Sequence, residues 1–140
     1  MPDAALLLDT HCWVWMQLGL TGRFAAASLR TIERAARSGE IGVSIISVWE
    51  VGRLEAKGRL ELRMNCVEWI RAALATPGLS LIPLSPEIAI ESSRLPGSFQ
   101  GDPADRILMA TARVTGAKLM TKDGKMLDYS RQGHARIVAA

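Results

Sequence analysis

The feature that most constrains the fold is a regular alternation of short apolar runs with longer stretches of helical periodicity. The apolar runs predict strands at residues 4–8, 42–46, 79–84, 118–121 and 136–139. The stretches of helical periodicity predict helices at residues 28–38, 48–57, 66–75, 86–93 and 104–115, with a loop or short helix at 123–129. Strands that alternate with helices form parallel sheets covered on both faces. We therefore expect an α/β fold, a three-layer α/β/α domain with a parallel sheet of about five strands.

Size and composition narrow the class of protein. A chain of 140 residues has the size of one domain, and we expect a single domain over residues 1–140. With 49% hydrophobic and 22% charged residues the chain can bury a core, which argues against disorder. No apolar run approaches the roughly 20 residues of a membrane span, and Met1-Pro2-Asp3 lacks the basic start of a secretory signal. We expect a cytoplasmic protein whose two cysteines, Cys12 and Cys66, are buried thiols.

The charges are compatible with an anionic partner. Lysine and arginine number 17 against 14 acidic residues, a net charge of +3, and thirteen of the 17 cations are arginine. The planar guanidinium group donates two parallel hydrogen bonds to a phosphate. A coding bias towards arginine explains the same excess equally well, so composition alone leaves both explanations open.

Acidic residues follow the predicted strands at the end where open parallel sheets bind ligands. Asp9 comes directly after the first strand, Glu50 lies one turn beyond the second, and Asp123 comes two residues after the fourth. Asp102 and Asp105 begin the helix that follows a loop rich in glycine and serine. The topology therefore predicts that four segments bring carboxylates to one edge of the sheet.

Most of these acids also have a purely structural explanation. Asp102 suits a helix N-cap, Asp105 suits the dipole of a first helical turn, and Asp123 suits a turn. Glu50 is the return half of a capping box if Ser47 caps the helix at 48–57. Taken singly, none of these four residues requires a ligand.

Asp9 is harder to explain, because a carboxylate that ends a buried strand loses hydration unless a cation meets it. Carboxylates grouped at one edge also repel one another, and a bound divalent cation removes that repulsion. A ligand set made only of oxygen favours Mg²⁺ or Mn²⁺ over zinc. Such a site activates water for in-line attack on a phosphodiester, so the acids predict phosphoryl-transfer chemistry.

Six segments in this order resemble the PIN-domain ribonucleases, and specifically the VapC toxins of bacterial toxin–antitoxin pairs. They are Leu7-Leu8-Asp9-Thr10-His11 with Trp13-Val14-Trp15, Ser44-Ile45-Ile46-Ser47-Val48-Trp49-Glu50, Lys57-Gly58-Arg59-Leu60-Glu61-Leu62, Leu95-Pro96 with Gly101-Asp102-Pro103-Ala104-Asp105-Arg106, Ala110-Thr111-Ala112, and Leu119-Met120-Thr121-Lys122-Asp123. The resemblance implies an endoribonuclease dependent on Mg²⁺ or Mn²⁺, a homodimer, and a cognate antitoxin whose C-terminal segment covers the acidic pocket.

Carried over by position, the resemblance implies that Asp9, Glu50, Asp105 and Asp123 are the catalytic acids and bind the metal. Asp102 stands three residues before Asp105, and the pattern does not separate a capping role from a metal role. The family pattern often has a His-Arg pair where this chain has Gln100-Gly101, so no cationic contact to substrate is expected from that loop.

Polar neighbours of the acids are expected to orient the carboxylates or a water. These are Thr10, Ser47 and Thr121. Arg106 is expected to pair with a neighbouring acid rather than with phosphate. His11 would face away from Asp9 if the first strand continued, which favours a structural role.

With the four catalytic acids neutralised, 17 cations stand against 10 anions, a net charge of +7 that suits an RNA backbone. The tryptophans at positions 13, 15 and 49 are expected in the core or an interface rather than stacked on bases. One alternative is a phosphatase of the haloacid dehalogenase type, which usually needs a second aspartate at position 11, here histidine. Another is a non-catalytic RNA-binding module in which the acids only cap helices.

Overall fold

The computed structural model describes residues 4–140, so the predicted absence of a signal at Met1-Pro2-Asp3 concerns residues outside the described range. The strands are β1 (Leu6–Leu8), β2 (Ile41–Ser44), β3 (Leu79–Ile82), β4 (Lys118–Thr121) and β5 (Ile137–Ala139). The helices are α1 (Thr10–Gln17), α2 (Ala26–Arg37), α3 (Ile45–Ala56), α4 (Cys66–Leu74), α5 (Pro86–Ser93), α6 (Pro103–Thr115) and α7 (Gly124–Ser130), with a 3₁₀ turn at Thr21–Arg23.

The strands form one parallel sheet in the order β3-β2-β1-β4-β5. Alternation along β1 divides the core, because successive side chains of a strand point to opposite faces. Leu6 and Leu8 pack with residues of α1, α2 and α4, whereas Leu7 packs with residues of α5, α6 and α7. Helices therefore cover both faces, and the predicted three-layer α/β/α architecture is confirmed.

Helix α1 is absent from the sequence prediction. It begins immediately after β1 with Asp9 as its N-cap, so strand and helix share one uninterrupted apolar stretch. The helix has residues with modest helix propensity, such as Thr10 and Trp13, and no pronounced polar face. Its formation depends on the cap and on burial of Cys12, Trp13 and Val14 rather than on amphipathic periodicity.

The boundary between β2 and α3 also differs from the prediction. The strand ends at Ser44, whose hydroxyl accepts a hydrogen bond from the backbone N–H of Ile46 at 3.1 Å. Ser47 is therefore inside the helix and does not cap it, and Glu50 is not part of a capping box. The apolar pair Ile45-Ile46 suits a strand in isolation, but the serine that precedes it starts the helix one turn earlier.

Other boundaries shift by one to three residues. Helix α2 begins at Ala26 rather than at residue 28, and β3 ends at Ile82 because Pro83 follows. Of the two forms predicted for residues 123–129, the structure has the short helix, at residues 124–130. Of the two cysteines, Cys12 is buried as predicted and Cys66 is only partly buried. No helix within residues 4–140 is long and apolar enough to cross a membrane.

A glycine in β2 permits close packing behind the site. A Cβ atom at Gly42 would lie 2.6 Å from the Cβ of Ala4 and 2.6 Å from the Cδ1 of Ile82. Because β2 is flanked by β1 and β3, the missing side chain lets the neighbouring apolar groups fill this space.

Candidate active site

Asp9 lies at the carboxyl end of the central strand and is held by two hydrogen bonds. Its Oδ1 accepts the backbone N–H of Cys12 at 2.8 Å, and its Oδ2 accepts the hydroxyl of Thr121 at 2.5 Å. Only 7% of Asp9 is exposed, although it lines a pocket. Asp9 therefore caps α1 and is also oriented by the neighbouring strand β4.

Glu50 reaches the same edge from α3 and is fixed by a chain of hydroxyl groups. The single hydroxyl hydrogen of Thr10 is donated to Oε1 of Glu50 at 2.6 Å. The hydroxyl of Ser47, 2.9 Å from that of Thr10, therefore acts as donor to Thr10. Burial raises the pKa of Glu50, and the hydrogen bond from Thr10 opposes the rise.

Asp102 and Asp105 stand at the start of α6. Oδ1 of Asp102 accepts the backbone N–H of Asp105 at 2.9 Å, so Asp102 is the helix N-cap, one of the two roles that the sequence leaves open. Burial raises the pKa of Asp105 to about 7, and the carboxylates of Asp102, Asp123 and Glu50 add to the rise. Mutual repulsion among the acids is thus present at this edge of the sheet.

Asp123 follows β4 and caps α7. Its Oδ2 accepts the backbone N–H of Met126 at 3.0 Å, and its own N–H donates to the hydroxyl of Thr121 at 2.9 Å. Thr121 is fully buried and bonds both Asp9 and Asp123. One threonine therefore holds the carboxylate of Asp9 and the backbone of Asp123, which belong to different segments.

All five acids line one pocket of about 230 Å³ at the carboxyl ends of the strands. The remaining lining residues are Thr10, His11, Leu108 and Met126. No lysine or arginine is among these lining residues, so no cationic side chain of the lining neutralises the carboxylates. A larger pocket of about 370 Å³ lies at the amino ends of the strands, where Arg34, Lys118 and Arg136 accompany Glu40. Charge rather than volume identifies the acidic pocket as the candidate active site.

The acidic pocket suits a hard divalent cation. Its charged donors are carboxylate oxygens, and their like charges raise the pKa of Asp105. Within residues 4–140, no three His, Cys, Asp or Glu side chains are grouped closely enough to hold a metal ion by themselves. Mg²⁺ fits such an open arrangement, because it commonly binds one or two carboxylates and keeps several waters.

Two sequence expectations about neighbouring side chains are wrong. Among residues 4–140 Arg106 pairs with no acid. It donates to the carbonyl oxygens of Ser92 and Phe99, at 2.8 and 3.0 Å, and so holds the loop before α6 in place. His11 is in a helix rather than a continued strand, and it is exposed at the pocket. The prediction for His11 is wrong because it did not include helix α1, which turns His11 towards the pocket.

The three tryptophans near the site do not form one cluster. Trp13 is fully buried, 5.7 Å from the ring of Trp69, and Trp15 is half-buried, 5.9 Å from the ring of Phe24. Trp49 is 54% exposed. The expectation of a core role is confirmed for Trp13 and holds in part for Trp15.

Comparisons with known proteins agree with this geometry. The chain is 32% identical over 124 residues to Ribonuclease VapC22 of Mycobacterium tuberculosis, covering 89% of this chain and 91% of that protein. Two solved structures share the fold with a TM-score of 0.67: VapBC2 from Rickettsia felis bound to a DNA fragment from its promoter (16% identity, 96% of this chain and 97% of that one), and DNA-bound VapBC from Salmonella typhimurium (13% identity, 97% and 98%).

The sequence model of the PIN domain matches residues 6–132, a range that contains every acid of the pocket. With a family match over most of its length and an acidic pocket at the carboxyl edge of a five-stranded parallel sheet, this chain belongs to the PIN domain family.

Proposed function

We propose that this chain is the toxin of a toxin–antitoxin pair and acts as a metal-dependent endoribonuclease. The observation that carries the proposal is the convergence of Asp9, Glu50, Asp105 and Asp123 on one pocket from four segments of the chain. Similarity to Ribonuclease VapC22 over 89% of the chain supports ribonuclease activity. Ribonucleases of this family generally depend on divalent metal.

In this proposal Asp9, Glu50, Asp105 and Asp123 hold Mg²⁺ or Mn²⁺. The bound cation supplies Lewis-acid activation of water for hydrolysis of an RNA phosphodiester. The protein contributes fixed oxygen ligands: the hydroxyl of Thr121 orients Asp9 and Asp123, and the chain from Ser47 through Thr10 orients Glu50. Asp102 caps α6, which directs the first turn carrying Asp105 towards the pocket.

The solved relatives named above are VapBC proteins, which supports a cognate antitoxin as the partner of this chain. We further propose that the chain acts in the cytoplasm, where its RNA substrate is found, as a single domain that forms a homodimer. A segment of the antitoxin that covers the acidic pocket would block both metal and RNA.

The decisive experiment compares RNA cleavage by the wild type and by Asp9→Asn in Mg²⁺, with circular dichroism to establish that the variant is folded. We expect metal-dependent cleavage by the wild type, loss of cleavage with EDTA, and a reduction of at least about 100-fold in Asp9→Asn. Asp128→Asn is the matched control, because Asp128 is an exposed acid of α7 in a surface ion pair with Arg131. Equal rates for the wild type and folded Asp9→Asn would refute the proposal.

Two further measurements separate the alternative functions. A phosphatase of the haloacid dehalogenase type would form an aspartyl-phosphate at Asp9, which mass spectrometry of the trapped protein detects. A non-catalytic RNA-binding module would bind no Mn²⁺ in calorimetry. We expect no phosphorylated Asp9 and clear Mn²⁺ binding that Asp9→Asn weakens.

A further inference from the structure

Beside the acidic pocket, two cationic side chains share one aromatic ring. The guanidinium carbon of Arg23 lies 5.6 Å from the ring centroid of Trp15, and Nζ of Lys122 lies 5.5 Å from the same centroid. The ring of His11 is 6.0 Å from that of Trp15. We call these four residues the Trp15 strip.

In the part of the chain that the structure describes, the two cations of the strip have no counter-ion. Within residues 4–140 the ion pairs are Arg113 with Glu91 and Arg131 with Asp128, and neither Arg23 nor Lys122 takes part in one. Both side chains are exposed, yet the ring quadrupole of Trp15 attracts both to one place. An anion that contacts both cations would offset the repulsion between their like charges.

The strip begins at the mouth of the acidic pocket. His11 lines the pocket, and Lys122 is the residue between Thr121 and Asp123, which bond each other at the pocket wall. Trp15 lies one turn along α1 from His11 and is anchored against Phe24. The strip is therefore continuous with the candidate active site.

The acidic pocket itself does not supply cations to a polyanionic substrate. The pocket lining contains no lysine or arginine, and the loop before α6 has Gln100 and Gly101 at its end. Arg106 is engaged by the carbonyl oxygens of Ser92 and Phe99. The Trp15 strip therefore offers an RNA strand that enters the acidic pocket two exposed cations, one of which, Lys122, directly precedes Asp123 in the chain.

We propose that the Trp15 strip binds the phosphates of the RNA strand that flank the scissile bond, an inference that rests on the proposed ribonuclease function. Arg23 and Lys122 contact the phosphates, and Trp15 acts as a platform that holds both cations in place. Base stacking on Trp15 is disfavoured, because the half-buried ring already contacts two cationic groups and packs at 78° against Phe24. Phosphate contacts of this kind give affinity and register without sequence preference.

The test is the double variant Arg23→Gln/Lys122→Gln, assayed for cleavage of a labelled single-stranded RNA in Mg²⁺ and for binding of the same RNA by fluorescence anisotropy in EDTA. Each lost phosphate contact weakens binding to single strands about fivefold at ~0.1 M salt and lowers the slope of log K against log salt by about 0.7. We expect KM to rise at least tenfold, kcat to change by less than about twofold, and Mn²⁺ binding measured by calorimetry to stay the same.

The matched control is Arg34→Gln/Lys118→Gln. It removes the same two residue types from the pocket at the opposite end of the sheet, and Lys118 begins the strand after which Lys122 stands. We expect its KM and salt slope to match those of the wild type. If both double variants lose affinity equally, only overall charge matters and the strip inference is wrong.

The two proposals fail in different ways. A wild type that cleaves no RNA in Mg²⁺ or Mn²⁺ contradicts the proposed function. If the wild type cleaves RNA and the Arg23→Gln/Lys122→Gln variant has unchanged KM and salt slope, only the proposal for the Trp15 strip is contradicted. The same holds if the variant loses affinity for the antitoxin but not for RNA.

Discussion

Thr121 shows how much of the site depends on one hydroxyl group. It donates to Oδ2 of Asp9 and accepts the N–H of Asp123, although Asp9 and Thr121 are 112 positions apart in the chain. Groups that orient ligating carboxylates affect metal affinity and activity almost as strongly as the ligands themselves. The orientation of the Asp9 carboxylate and the backbone position of Asp123 therefore depend on a residue that does not carry a charge.

Replacing Thr121 with valine keeps the volume of the side chain and removes both hydrogen bonds. We expect Mn²⁺ affinity and RNA cleavage to fall by about 10- to 100-fold while the fold is kept. Calorimetry and cleavage rates measure the two effects. The control is Thr111→Val, because Thr111 is equally buried but donates to the carbonyl of Ile107 within its own helix. Wild-type metal affinity in Thr121→Val would contradict this role.

The raised pKa of Asp105 predicts that the stability of the metal-free protein depends on pH. Its pKa in the fold is raised to about 7 from 3.8, so the folded state binds more protons than the unfolded state between these values. Stability contributed by this group therefore falls as the pH rises from about 4 to about 7. We expect Asp105→Asn to gain stability relative to the wild type at pH 8 compared with pH 5, measured by urea unfolding in EDTA. Parallel pH profiles of the two proteins would show that Asp105 ionises normally.

At the scale of elements, three of the five pocket acids are positioned because they begin helices. Asp9, Asp102 and Asp123 are the N-caps of α1, α6 and α7. Each N-cap accepts a backbone N–H through one carboxylate oxygen, which fixes the side chain at the start of its helix, after a strand for Asp9 and Asp123 and after a loop for Asp102. The structural and functional explanations of these acids are therefore compatible, because capping directs a carboxylate to the edge of the sheet.

The two serines of the β2–α3 junction are predicted to differ in effect. Ser44→Ala removes the cap of α3 and is expected to cost about 1 kcal/mol of unfolding free energy with little change in Mn²⁺ affinity. Ser47→Ala removes the donor to Thr10 and is expected to weaken Mn²⁺ binding through Glu50. Denaturant unfolding and calorimetry on both variants test the distinction. Equal effects on metal binding would contradict it.

The sequence predicts the order of elements and the set of acids at the sheet edge, because strands, glycine and proline boundaries and N-cap residues leave local patterns. It does not predict α1, since that helix depends on tertiary burial of Cys12 and Trp13. Nor does it predict the partners of Arg106 and Glu50, because Ser92 and Thr10 are distant in sequence and meet only in the fold. Hydrogen bonds between residues that are distant in sequence leave no local pattern and therefore could not be predicted.

At the scale of the whole molecule, the modest net charge of +3 conceals a separation of charge. Five carboxylates line the acidic pocket, while Arg23 and Lys122 stand beside it without a carboxylate partner among the described residues. Folding therefore concentrates like charges at one edge of the sheet, and the fold is less stable there than it would be with a neutral pocket.

Binding of a divalent cation is expected to relieve this cost. A ligand present at 100 times its Kd stabilises the folded state by about 2.7 kcal/mol. We expect Mn²⁺ to raise the Tm of the wild type and of Asp128→Asn, and to leave the Tm of Asp9→Asn almost unchanged. Differential scanning fluorimetry with and without EDTA measures the effect. A Tm that does not respond to Mn²⁺ in the wild type would argue against a metal site.

The division of the core by β1 has an optical consequence. All four tryptophans lie in α1, α3 and α4, and the single tyrosine, Tyr129, lies in α7 on the opposite face of the sheet. Trp13 and Trp69, 5.7 Å apart between ring centroids, are close enough for their transitions to couple. Tryptophan fluorescence therefore reports mainly on the face of the sheet where Trp13 and Trp69 are buried. A loosening of the α5–α6–α7 layer would change the signal of Tyr129 and leave tryptophan fluorescence almost unaffected.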